Sequence, residues 1–210
     1  MVFLNRLSLL GILLLLPGLS AAQNYVQGKD YQLLEQPVNT QSGDKIEVLE
    51  FFWYGCPHCF SFEPTLEKWK KTLPDNVQFV RMPSPLNPRW MVHTRTYYTL
   101  QSMGEGEKHH SAIFRAMHIE KKRLFSKEAV ADFLAERGVD RAAFLSNYDS
   151  FAVEMRARQA LQLGQQYKVS GVPMLAVNGK YTIAAGDAGG YQAMVNIADF
   201  LIRKEQKSKP

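Results

Sequence analysis

The chain is poor in cysteine: it has two in 210 residues, Cys56 and Cys59. Without further thiols there is no disulfide framework to staple a fold. A bridge between residues this close would constrain the unfolded chain only slightly. There is no second Cys pair to complete a four-ligand zinc site, and His109 and His110 lie far off in sequence. Internal repeats and low-complexity segments are absent. The formal net charge is only +5, with no basic stripe of the kind nucleic acid requires. After the N-terminus no apolar run approaches the roughly 20 residues of a membrane span.

The N-terminus carries the one long apolar run. Arg6 precedes Leu7 to Leu16, Pro17 and Gly18 break the run, and Ser20-Ala21-Ala22 places small residues at −3 and −1 of a cut. Residues 1–22 therefore read as a cleavable signal peptide, and the run is too short for a retained anchor. The mature chain then begins at Gln23 and works outside the cytoplasm. Removal of the segment takes away Arg6 and leaves 188 residues, enough for one good core and somewhat more than a minimal domain.

Tyr31 to Glu35 alternates as an edge strand would, and Lys45 to Trp53 is apolar on both faces, as in a central buried strand. A helix follows over Pro57 to Leu73, with proline at its first position, where the missing N–H costs nothing, and a kink expected at Pro64. Val77 to Met82 reads as a strand. Residues 86–168 lack strand alternation and read as helices near 88–103, 107–119, 126–137, 140–147 and 150–167, with Ser126 and Asp140 as N-caps and Gly138 as a stop. Met174 to Val177 and Tyr181 to Ala184 flank Asn178-Gly179, a two-residue hairpin signal. Tyr191 to Lys204 closes the chain as an amphipathic helix, with a Lys-rich end at 203–210 expected to fray.

The apolar strand, Gly55 and the following helix place Cys56-Pro57-His58-Cys59 at a strand-to-helix junction. There Cys56 meets unpaired backbone N–H groups and the positive end of the helix dipole, which favour its thiolate, as would His58. A stabilised thiolate is a good leaving group, and it makes the disulfide form the stronger oxidant. Cys59, one turn on, points inward and resolves or forms the mixed disulfide. Glu50 stands among Val48, Leu49, Phe51 and Phe52, on one strand face with Ile46, Val48 and Phe52. Two readings stay open for it: a buried acid of raised pKa exchanging protons with Cys59, or a salt bridge to a lysine at the sheet margin. Pro173 opens a returning strand after Ser170-Gly171-Val172, where composition alone gives a trans bond. His93, His109, His110 and His118 read as surface residues of the helical block.

Leu49-Glu50-Phe51-Phe52 before Cys56-Pro57-His58-Cys59, the later Gly171-Val172-Pro173 and the export signal together resemble the DsbA family of periplasmic thiol:disulfide oxidoreductases, over essentially the whole mature chain. The resemblance implies an α/β thioredoxin fold with an inserted helical domain: residues 23–85 and 169–210 form the thioredoxin-like domain, and 86–168 the insertion. It implies that Pro173 is cis and faces the cysteines, that Cys56 is the attacked and attacking sulfur, that His58 is its main stabiliser and that Glu50 is the buried acid. The only redox group would be the Cys56–Cys59 disulfide, with no metal or other cofactor. The implied partners are reduced, unfolded exported proteins and a membrane quinone reductase of the DsbB type, in the periplasm and without nucleic acid. The family varies at Trp53-Tyr54-Gly55, which reads as tuning substrate or partner choice.

Three functions compete on these residues. The first is a dithiol oxidase that donates its disulfide to newly exported proteins, whose extended backbone would pair beside Val172 and Pro173. The second is a periplasmic reductase or isomerase. An isomerase needs two sites held in a dimer, and the chain has no dimerisation domain, so a monomer is expected. The third is a metal chaperone using CxxC, which has no need of Glu50 or Pro173.

Overall fold

Residues 24–208 are described by the structure, a computed structural model; the export segment and its cut after Ala22 lie outside them. Seven strand residues, Ile46–Phe52 (β2), are all buried, as their two-sided apolarity requires. β2 sits inside a five-stranded sheet of order β1-β5-β4-β2-β3. β3, Val77–Pro83, runs parallel to it, with the helix α1, Pro57–Lys70, as the crossover. β4, Met174–Val177, and β5, Tyr181–Ala184, form the expected antiparallel hairpin, and β4 also pairs antiparallel with β2. Gly179 takes φ +68 in the turn, and a Cβ there would come within 1.9 Å of the Val38 carbonyl oxygen. The edge strand β1 is only Gln32–Leu33, paired with β5.

Strand alternation sends successive side chains to opposite faces. Ile46 and Val48 pack with Phe62, Leu66 and Trp69 of α1 and with Val195, Leu201 and Ile202 of the last helix. Leu49 and Phe51 face the other way, toward Ala160 and Tyr167. Phe52 reaches a third cluster with Tyr54, Leu100, Phe114 and Phe144. Both cysteines lie in this third cluster, at the seam between sheet and helices.

Between β3 and β4 come five helices: α2 Pro88–Ser102, α3 Gly106–His118, α4 Lys127–Ala135, α5 Arg141–Tyr148 and α6 Phe151–Gln166. Ser126 and Asp140 accept hydrogen bonds from the N–H groups of Ala129 and Ala143 as N-caps. Asn87 and Ser150 cap α2 and α6 in the same way. Gly138, at φ +86, ends the turn after α4.

Two expectations are corrected. His93, His109 and His110 are buried rather than on the surface, and His118 is half-buried. Of the end expected to fray, residues 203–208 are helical in Tyr191–Ser208 and 209–210 lie outside the described residues; Glu205 is buried and accepts from Asn178 Nδ2 at 2.6 Å, Lys180 Nζ at 2.7 Å and Tyr181 Oη at 3.1 Å. A short helix, Ala185–Ala188, precedes the final helix. In chain order these two are α7, the short helix, and α8, the final one. Among the described residues no helix is long and apolar enough to cross a membrane.

Candidate active site

β2 ends at Phe52, and the chain turns through Trp53, Tyr54 and Gly55 into α1. The turn closes with the Cys56 N–H donating to the Trp53 carbonyl at 2.9 Å. Cys56 is the N-cap residue, extended at φ −87 and ψ 117, with no side-chain cap bond. The first-turn N–H groups are thus left facing its sulfur. Pro57 and His58 are exposed, Cys56 is 8% exposed and Cys59 is fully buried. Both thiols are free.

The two sulfurs are driven apart in acidity. The Cys56 thiol is brought down to about 6, chiefly by the hydrogen bond from Cys59; burial opposes this, and the backbone N–H groups of Cys59 and His58 and the charge of His58 add to it. His58, expected as the main stabiliser, ranks behind the Cys59 thiol and the helix N–H groups. Its Nδ1 lies 3.3 Å from Tyr191 Oη. The Cys59 thiol is pushed well up, first by burial and then by Cys56. Cys56 Sγ also lies 3.4 Å from the Val172 carbonyl oxygen, to which its S–H donates when protonated. The Val172–Pro173 peptide bond is cis. The loop before β4 lies against the Cys56 sulfur, 116 residues away in sequence.

Glu50 is fully buried. Its pKa is pushed up to about 8, first by burial and then by the charge of Glu63, against the pull of Arg81. The expected lysine at the sheet margin is replaced by Arg81, Glu50's register partner on β3. Arg81 Nε lies 3.2 Å from Glu50 Oε2, an ion contact without hydrogen-bond alignment. The same guanidinium also meets Glu63 at 3.2 Å, Glu67, and Glu107 at 3.6 Å. Arg81 is shared with three other carboxylates, and burial together with the charge of Glu63 outweighs its pull at Glu50.

The motif approach is built from contacts that sequence reasoning missed. Trp53 stacks on Trp90 at 4.1 Å and 8°. Tyr54 Oη lies 2.9 Å from His110 Nδ1. A Cβ on Gly55 would fall within 2.3 Å of the Trp53 ring. Arg81 had a signal, a lone charge in an apolar strand beside another such strand. Trp90 and His110 had none, because only the chain's return brings them here. Among the described residues no three His, Cys, Asp or Glu side chains converge as metal ligands.

The arrangement suits thiol–disulfide exchange: a sulfur of lowered pKa next to the exposed Pro57 and His58, a fully buried partner sulfur, and an acid of raised pKa beneath them. Residues 47–201 match the DSBA-like thioredoxin domain. The thiol:disulfide interchange protein DsbA of Pseudomonas aeruginosa is 47% identical over 190 residues, covering 90% of each chain. That of Burkholderia cepacia is 38% identical over 209 residues, 96% of this chain and 98% of its own. The crystal structure of Pseudomonas aeruginosa DsbA superposes with a TM-score of 0.84 at 47% identity, covering 88% of this chain and 96% of that one. A DsbA oxidoreductase from Xylella fastidiosa gives 0.83 at 26% identity, over 88% and 99%.

Proposed function

This chain belongs to the DSBA-like thioredoxin family, and we propose that Cys56 and Cys59 form the disulfide through which it acts. It is a thiol:disulfide oxidoreductase of the disulfide-forming kind, with a thioredoxin fold that carries an inserted helical domain. We take the insertion as residues 86–168.

In the proposed cycle a substrate thiolate attacks Cys56 Sγ of the oxidised pair. The Cys56–Cys59 bond breaks, a substrate–Cys56 bond forms, and Cys59 leaves as the thiolate. Cys59 is the poorer anion, and Glu50 beneath it supplies the proton it takes up. A second substrate thiolate then attacks the substrate sulfur of the mixed disulfide, and Cys56 leaves. Two electrons pass from the substrate dithiol to the pair, which ends reduced. Cys56 departs easily because the N–H groups at the start of α1 and the Cys59 thiol hold its charge; the observation that carries the reading is Cys56 at the N-cap of α1, with Cys59 buried one turn on and the Val172 carbonyl 3.4 Å away. The Val172 backbone beside Cys56, fixed at Pro173, receives the extended substrate. Pro57 starts the helix at no cost in hydrogen bonds, and His58 adds charge next to the sulfur.

The substrates are reduced proteins newly exported to the periplasm, and a membrane quinone reductase of the DsbB type reoxidises the pair. The chain acts as a monomer with no cofactor beyond its own disulfide. The test is equilibration of the purified mature protein with glutathione buffers, with Cys56 and Cys59 trapped by alkylation. A donor is half reduced while most of the glutathione is still disulfide. A pair that stays oxidised in excess reduced glutathione overturns the reading in favour of a reductase.

A further inference from the structure

We infer that His110, contributed by the helical block, is a positioning residue for the redox site: it ties Tyr54, two residues before Cys56, to Glu63, four residues after Cys59, and through Glu63 sets how readily Glu50 releases its proton. The inference rests on the oxidoreductase reading and deepens it.

His110 lies on α3 and is 4% exposed. The rings of Phe52, Tyr54 and Phe114 enclose its imidazole, each at a centroid distance of 5.2 Å. One ring nitrogen, Nδ1, is 2.9 Å from Tyr54 Oη, and the other, Nε2, is 3.4 Å from Glu63 Oε2. Together they assign the tautomer. A lone pair on Nε2 would face a carboxylate oxygen and be repelled, so Nε2 carries the hydrogen and Nδ1 accepts from the Tyr54 hydroxyl. The imidazole is neutral, since burial disfavours its charged form. His110 Nε2 lies 3.4 Å from Glu63 Oε2 without hydrogen-bond alignment, and Glu63 Oε1 has no hydrogen-bond partner among the described residues, so the N–H of His110 acts on this carboxylate as a neighbouring dipole beside the shared Arg81.

The consequence follows from the sharing. Glu63 and Glu50 lean on the same guanidinium, and the charge of Glu63 presses on Glu50. The positive N–H end of the imidazole, placed beside Glu63, favours the charge that exerts this pressure. The charged and titratable groups facing this cluster are Tyr54 from the turn, Tyr97 from α2, Cys59, Glu63, Glu67 and Lys70 from α1, Arg81 from β3 and Glu107 from α3. His110 sets one ring nitrogen against the turn before Cys56 and the other against the body of α1. Cysteine exchange as such needs neither Tyr54 nor His110, so a coupling through them is a property of this site rather than of the CxxC motif.

The test is the pH dependence, from 5 to 9, of the full mature chain's equilibrium with glutathione. The break belonging to Glu50 is identified by its loss in Glu50→Gln. His110→Phe and Glu63→Gln each move that break to lower pH, by about a tenfold change in proton affinity. The double variant moves it no further than either alone, because both act through one interaction. Tyr54→Phe keeps the ring, removes only the hydroxyl, and shifts the break the same way by a smaller factor, so it carries the test if His110→Phe does not fold. A break that stays in place in His110→Phe or Tyr54→Phe, that survives in Glu50→Gln, or that moves additively in the double variant overturns the inference. A wild-type pair that stays oxidised in excess reduced glutathione overturns the oxidoreductase reading instead.

Discussion

The sheet half and the helical half of this molecule treat buried polarity in opposite ways. The sheet half keeps charge: Glu50 and Arg81 sit side by side in register on β2 and β3, with Glu63 above them on α1. The helical half neutralises its polar groups where they stand. Thr96 and Thr99 on α2 donate to the carbonyl oxygens four residues back, at 2.9 and 2.8 Å. His93 is brought down to about 4, mainly by burial, with Nε2 2.7 Å from the Leu124 carbonyl oxygen. The difference teaches where the chemistry lies. Buried charge is kept in the sheet half, around Arg81 and at Glu205 under the β4–β5 hairpin, and the helical half supplies shape and one bridging imidazole.

The largest expected effect separates chemistry from packing. Cys56→Ser should bring the oxidation of a reduced dithiol peptide down to the uncatalysed rate while the protein stays folded. Phe144→Ala, a fully buried ring in the helical half, should cost about 3–5 kcal/mol, yet leave the rate per folded molecule unchanged; urea unfolding alongside the peptide assay reads both. A variant Cys56→Ser that still oxidises the peptide would break the comparison.

Gly55→Ala probes the seam. The added methyl meets the Trp53 ring, which stacks on Trp90 of α2, so the strain passes from one half to the other. A loss of about 1–3 kcal/mol is expected in denaturant unfolding, together with a change in tryptophan fluorescence. Unaltered fluorescence would show that the stack does not carry the strain.

Glu50→Gln sharpens the contrast through pH. The folded acid is raised from its ordinary 4.5 to about 8. Between those values the folded state holds a proton that the unfolded chain releases, so the stability of the reduced wild type falls as pH rises across that window and levels off above it. Relative to Glu50→Gln, the wild type should lose stability steadily between about pH 4.5 and 8. Parallel urea midpoints at pH 5, 7 and 9 would contradict a raised acid.

The smallest effect is expected at His58. Because the Cys59 thiol and the N–H groups of α1 outrank its charge at Cys56, His58→Ser should raise the midpoint of the thiolate absorbance titration only modestly above about 6. A rise back to an unperturbed thiol would make His58 the main stabiliser after all.

Much of the fold was legible because its signals are local. The two-sided apolarity of Ile46–Phe52, the caps Ser126 and Asp140 and the Asn178-Gly179 turn each need only a few neighbouring residues. The errors fell where a residue's environment is made by distant chain. A histidine on a helix looks the same in sequence whether Leu124 or water receives its hydrogen bond, so His93 was read as exposed. The end of α8 was read as frayed because Glu205 finds its donors on the β4–β5 hairpin. At the site, Glu50 was legible as an oddity and its partner was not, since pairing it with Arg81 requires the register of two strands.

By itself the sequence determined the reactive group and its local setting. Two cysteines in one CxxC after a buried strand and before a helix leave the thiols to exchange chemistry rather than to stapling, because spacing, dipole and free N–H groups are all properties of adjacent residues. The tertiary structure alone decided how that chemistry is tuned. It laid Val172 against Cys56, sank Cys59 and Glu50 out of water, divided Arg81 among four carboxylates and brought His110 to Tyr54. Acidity in a protein is set by solvation and by charges in space, and neither exists until the chain has closed on itself.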